Sequence, residues 1–213
     1  MKKLIPLIII LTALINFGCD KESIDPINKG IEQFKTQTAI QFQGKVLNED
    51  VYWKFDNWDN GIGAYGESFW CVTDDKTIQQ RNFSIYDYEK RENLTFLKIV
   101  SPAFSINDSY EEKKSIFDVG KKEFQTEDNS IYEGFIIQGN TKDFCFSTKG
   151  GEQKNSSFEI IKIQELPSDY PDKDYKKVRL WTIVSCTLYG CGGQKVGRIE
   201  NGRFVSEIEI ERN

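Results

Sequence analysis

Histidine is absent from all 213 residues. Without an imidazole, Ser-His-Asp and Cys-His nucleophilic sets are excluded, and so are the His-bearing zinc hydrolase motifs. Methionine occurs once, as the initiator. There is no C-x-x-C redox pair and no Walker loop. The glycines of NGIGAYG (60–66) are not a dinucleotide fingerprint, because no helix follows them. Beyond the first 18 residues no run is long and apolar enough for a transmembrane helix. Basic excess is lacking too: 28 Lys and Arg stand against 33 Asp and Glu, a net charge of −5. Such a surface repels phosphate backbones, so nucleic acid is not an expected partner.

What is present is ordinary for a soluble globular chain, with 38% hydrophobic and 29% charged residues. The length suffices for one domain with a sizeable core and does not demand two. Phe (15) and Tyr (9) exceed what a helical bundle needs.

The first stretch, MKKLIPLIIILTALINFGCD, has a positive start at Lys2 and Lys3 and an apolar run from Leu4 to Ile15. As a helix that run spans roughly 18 Å, short of a bilayer core of about 30 Å. Its length is that of a signal-peptide apolar region. Gly18 directly before Cys19 resembles the lipobox of bacterial lipoproteins, with Asn16 where the lipobox usually has Leu. The resemblance implies that residues 1–18 are a signal peptide, that Cys19 receives a diacylglycerol thioether, and that its new amino terminus is acylated. An uncleaved signal anchor and a plainly secreted protein stand as alternatives. At about 0.8 kcal/mol per buried methylene, two or three acyl chains make release from a membrane negligible. The expected location is the cell envelope, lipid-anchored in the outer membrane. Asp20-Lys21-Glu22 after the lipid site leaves the face open, periplasmic or cell-surface.

Residues 19–38 then form a polar tether, in which Ile27, Ile31 and Phe34 stand at helical spacing over a turn or two. Residues 39–213 are read as a single β domain. FVSEIEIE alternates, with Phe204, Ser206, Ile208 and Ile210 on one side and Val205, Glu207, Glu209 and Glu211 on the other. Asn201-Gly202 before it suits a type I′ turn, so 195–200 and 203–211 are expected to pair as a hairpin. VRLWTIVSCTLY (178–189) is apolar on both parities, as in a central strand. Further strands are expected near 39–46, 50–55, 67–73, 79–88, 94–100, 131–138, 143–148 and 157–165, with a bulge between Ile160 and Ile161. Only DSYEEKKSI (108–116) resembles a helix, with an exposed loop as the equal alternative. About ten strands with little helix predict an all-β fold, an antiparallel β-sandwich or a partly open β-barrel.

The lipobox leader, the polar tether, an early strand with Gln43-Gly44-Lys45 and a closing segment with Ile199-Glu200-Asn201-Gly202-Arg203-Phe204 together resemble small all-β lipoproteins of unknown function from Gram-negative bacteria. That resemblance implies fold and location, and carries over no catalytic residue.

With Cys19 lipidated, four cysteines remain: Cys71, Cys145, Cys186 and Cys191. An even count outside the cytosol favours disulfides. Of the three connectivities, Cys186–Cys191 with Cys71–Cys145 is the expected one. A four-Cys zinc site would want two close pairs, and Cys71 and Cys145 are isolated. No metal or cofactor is expected. Asp56, Asp59, Asp74 and Asp75 could supply the carboxylate pair of a glycoside hydrolase, about 5 to 9 Å apart. The oxygen-rich Asp56–Gly61 loop lacks the ligand spacing of an EF-hand. Six aromatics, Trp53, Phe55, Trp58, Tyr65, Phe69 and Trp70, crowd one stretch. Trp53 and Phe55 share a parity and suit the core, as do Tyr86, Tyr88 and Trp181 as core or flank. Trp58, flanked by Asp56 and Asp59, is the candidate for stacking on a sugar. The leading expectation is a non-enzymatic envelope lipoprotein, a binding or structural module for a glycan or an envelope protein. The alternatives are an inhibitor or immunity-like lipoprotein that binds a basic enzyme, and a carboxylate glycoside hydrolase.

Overall fold

A computed structural model describes residues 26–55, 62–65, 70–71, 78–89, 93–126, 131–167 and 174–212. The chain divides into two units, 1–33 and 34–213. Elements in chain order are α1 (Pro26–Lys35), β1 (Ile40–Val46), β2 (Glu49–Phe55), β3 (Ile62–Tyr65), β4 (Trp70–Cys71), β5 (Ile78–Gln80), β6 (Asn82–Asp87), β7 (Leu94–Val100), β8 (Phe104–Ser105), α2 (Tyr110–Ser115), β9 (Gly120–Lys122), β10 (Ile136–Thr141), β11 (Cys145–Ser147), β12 (Ser157–Leu166), β13 (Tyr175–Gly190) and β14 (Lys195–Glu211).

The fold is all-β, as the alternation predicts. Eleven strands make one antiparallel sheet in the order β2-β1-β14-β13-β11-β10-β7-β6-β3, with β12 on β13 and β9 on β12. β4, β5 and β8 form a small second sheet. The ends of the large sheet, β2 and β3, come against one another, so the sheet nearly closes on itself. Its inner face holds one apolar core, with Phe42, Trp53, Leu97, Ile137, Phe158 and Phe204 among its members. A cavity between Arg81, Phe117, Phe158 and Thr182 has about 20 Å³, room for about one water.

Phe204, Ser206, Ile208 and Ile210 of FVSEIEIE are buried against the core side, as expected, but the other side is not uniformly wet, since Val205 and Glu209 are buried as well. The expected hairpin at Asn201-Gly202 is not formed. Lys195–Glu211 is one strand, and the turn joining it to β13 falls at 191–194. Asn201 does take a positive φ of 52°, but it uses that geometry in a β-bulge. Val184 pairs with Gly202 and Cys186 with Ile199, so two residues of β14 oppose Ser185 alone. The extra residue is what lets Ile199 and Phe204, of opposite parity, both reach the core. A turn and a bulge ask the same positive φ of Asn-Gly, and the sequence alone does not separate them. The bulge expected at Ile161 is present, between Ile160↔Thr182 and Lys162↔Trp181.

The helix expected at 108–116 is α2. Ser109 caps it, accepting from the Glu112 N–H while the Glu112 carboxylate accepts from the Ser109 N–H at 2.8 Å. Its fourth residue, Lys113, is fully buried, and its ammonium has no hydrogen-bond partner among the described residues. Burial pushes that amine below its ordinary pKa. On α2's exposed side, Glu165 of β12 accepts from Lys114 at 2.7 Å and from the Tyr110 hydroxyl at 3.0 Å.

A smaller apolar cluster lies on the outer face of the sheet. Trp181 and Val205 are covered there by Phe34. The Trp181 indole N–H donates to the Gln37 carbonyl at 2.8 Å, and the Lys162 ammonium donates to the Lys35 carbonyl at 2.9 Å while standing 4.1 Å from the Trp181 ring. Phe34, Lys35 and Gln37, expected in the tether, therefore pack on the sheet.

Candidate functional site

The bulge in β14 shapes the outer surface as well as the core. Opposite it, Gly44 of β1 passes so close that an added Cβ would lie 2.7 Å from the Gly202 Cα. Two backbones without side chains cross here and leave a depression of about 640 Å³ over β2, β1 and β14. Pairing registers place its walls in two rows. Asp50, Lys45 and Glu200 are directly opposite one another across the three strands, and so are Tyr52, Gln43 and Arg203. Strand alternation turns all six outward.

Lys45 thus stands between two carboxylates, yet no ion pair forms among Lys45, Asp50, Glu200 and Arg203 in the described residues. Arg203 is turned along the wall, 5.9 Å from the Phe34 ring. Tyr52 is 58% exposed. The groove therefore offers an aromatic surface, two amides (Gln43 and Asn201) and charges of both signs, none of them committed to a neighbouring charge. Such groups are available to an incoming ligand without first breaking protein contacts. Asp50 and Glu200 lie two strands apart, roughly 10 Å between backbones. Both are exposed.

The residues singled out from the sequence are distributed differently. Cys19, Trp58, Asp56 and Asp59, with Phe69, Asp74 and Asp75, lie outside the described residues. Trp53 is a core residue, 1% exposed, and Phe55 is half-buried. Trp181 is the buried centre of the outer cluster, and Tyr86 and Tyr88 flank the sheet. Gln43, Gly44, Lys45, Glu200, Asn201 and Arg203, noted in the sequence for a family likeness and a hairpin, are brought together as the walls of the groove. Their sequence signal was the pair of glycines at 44 and 202, each next to charged or amide residues.

The cysteine pairing differs from expectation. The disulfide is Cys145–Cys191, with Cα atoms 5.8 Å apart. Cys186 is not bonded but is a free thiol in the core. The register explains both. β11 pairs with the end of β13 through Phe146↔Gly190, which sets Cys145 beside Cys191. Cys186 shares the inward parity of Val184 and Leu188 and cannot reach the turn at Cys191. Burial pushes the Cys186 thiol up to about 12, which makes it unreactive. Cys71 stands on β4, and its side chain lies outside the described ones.

Comparison of the chain with protein-family profiles, with curated proteins and with solved structures finds no match.

Proposed function

We propose that this protein is a non-enzymatic binding module of the bacterial cell envelope, lipid-anchored through Cys19 in the outer membrane, and that the β2-β1-β14 groove is its docking surface for a segment of another envelope polypeptide. The observation that carries the reading is the groove itself. Four outward charges of both signs, two amides and an exposed tyrosine line it without pairing among themselves. Charges of both signs with exposed amides suit a polypeptide of mixed sequence. They are a poorer fit to the inhibitor reading, in which one acidic face captures a basic enzyme. The lipid anchor rests on Gly18-Cys19 and the apolar run before it.

The test has two arms. Cys19→Ser in cells is expected to move the protein from the membrane fraction to the soluble one; unchanged membrane retention would refute the anchor. A photo-crosslinking amino acid at Tyr52 in intact cells is expected to trap one envelope polypeptide, and the same group at Tyr132, which is 52% exposed elsewhere, is not. Equal trapping from both positions, or none from Tyr52, would refute the groove.

A further inference from the structure

A second outer surface lies away from the groove. Pairing registers place Gly63 of β3, Tyr86 of β6, Phe96 of β7, Asn140 of β10 and Cys145 of β11 in one row across five strands. Tyr86 and Phe96 stack, with centroids 4.9 Å apart and ring planes 27° from parallel. Gly63 contributes no side chain to the row, and Tyr88 takes the vacant place. A Cβ on Gly63 would sit 2.2 Å from the Tyr88 ring. Tyr88 thereby becomes a third ring in series, 5.8 Å from Tyr86 and 14° from parallel to it. It is nevertheless 51% exposed.

We infer that this aromatic shelf is a carbohydrate-binding site, taking the apolar face of a neutral hexopyranose in an oligosaccharide. Three features support it. The rings brace one another and the sheet, so little side-chain freedom is lost on binding. The rim is polar and uncharged where it is open: the Asn140 side-chain amide is exposed with no partner among the described residues, and the Thr95 hydroxyl donates to the Asn140 backbone carbonyl at 3.2 Å. An amide next to a ring face matches a sugar, which presents C–H bonds on one face and hydroxyls at its edge. The depression lined by Tyr86, Asp87, Tyr88, Thr95, Phe96 and Asn140 measures about 440 Å³, enough for a short stretch of sugar rings. A protein side chain would bury the rings equally well but would leave the amide facing it unsatisfied unless it brought a polar group to the same edge.

The test uses the full chain in detergent on an array of neutral and charged oligosaccharides, with titration of the best neutral binder. Retention of a neutral hexopyranose oligosaccharide, little changed by salt, is expected. Tyr88→Ala should weaken it by about tenfold or more, and Tyr88→Phe should keep it, since the ring and not the hydroxyl is the platform. Asn140→Ala should also weaken it, which covers the case of a Tyr88 variant that fails to fold. Tyr52→Ala should leave it unchanged, separating this site from the groove. The assignment is overturned if no neutral oligosaccharide is retained, if binding survives both Tyr88→Ala and Asn140→Ala, if it is lost in Tyr52→Ala instead, or if the Tyr88 surface retains only a polypeptide.

Discussion

Removing the Cys145–Cys191 bond tests the register of β11 on β13 and, with it, the frame that holds the shelf. The bond closes a loop of 46 residues' separation. Chain entropy assigns a loop of that length about 4 kcal/mol of stabilisation, whereas the five-residue loop of a Cys186–Cys191 bond would give only about 2 kcal/mol. For a domain of this size, 4 kcal/mol corresponds to a fall in melting temperature of roughly 8–16 °C. Cys145→Ser, Cys191→Ser and the double variant should all lose about the same amount, because each removes the same bond. Cys186→Ala should lose about 1–2 kcal/mol, the cost of a small void in the core. Urea unfolding followed by tryptophan fluorescence reads these differences, and peptide mapping without reductant identifies the linked pair. A Cys145→Ser midpoint equal to wild type, with Cys186→Ala falling alongside Cys191→Ser, would refute both the pairing and the strand register behind it.

Two further perturbations probe α2. Lys113→Met should stabilise the protein by about 1–3 kcal/mol, since it removes a buried amine that has no hydrogen-bond partner among the described residues and keeps its stem. Because that amine's pKa is depressed by burial, the folded state binds fewer protons there than the unfolded one; wild-type stability should rise as pH climbs toward 10.5, and Lys113→Met should lack that rise. Equal pH profiles for the two proteins between 7 and 10 would contradict the assignment. Glu165 should produce an acid-side effect of opposite sense. Its hydrogen bonds from Lys114 and Tyr110 hold it down at about 2 from 4.5, so the stability it contributes is present above pH 4.5 and lost as pH falls toward 2. Glu165→Gln should flatten that window in thermal melts by at most about 1 kcal/mol, since the carboxylate is more than a third exposed and screened by solvent. A larger effect would mean that the contact does more than an exposed pair can.

Local chemistry was legible in the sequence where it was local in the fold. The alternation of 204–211, the long central strand, β7 at Leu94–Val100, the capped helix after Ser109 and the bulge at Ile161 all depend on residues near one another along the chain. Features set by register between distant strands were not legible. The Cys145–Cys191 pairing follows from β11 meeting the end of β13, and nothing in the spacing of the cysteines announces that. Asn201-Gly202 looked like a turn because a turn and a bulge require the same backbone. In the sequence Gly63 belongs to a glycine-rich stretch; its use as the seat of Tyr88 depends on the pairing of β3 with β6. Phe34 reads as part of a tether because its partners, Trp181 and Val205, lie far away in sequence on an outward face that alternation alone marks as wet.

That outer cluster decides where the molecule can be cut. A fragment starting at residue 39 would discard Phe34 together with the carbonyls of Lys35 and Gln37. The Trp181 indole N–H would then lose its acceptor and Val205 its cover, baring a greasy wall that invites self-association. Crystallisation or binding work on a tether-free version should therefore begin ahead of α1, at residue 26 or earlier.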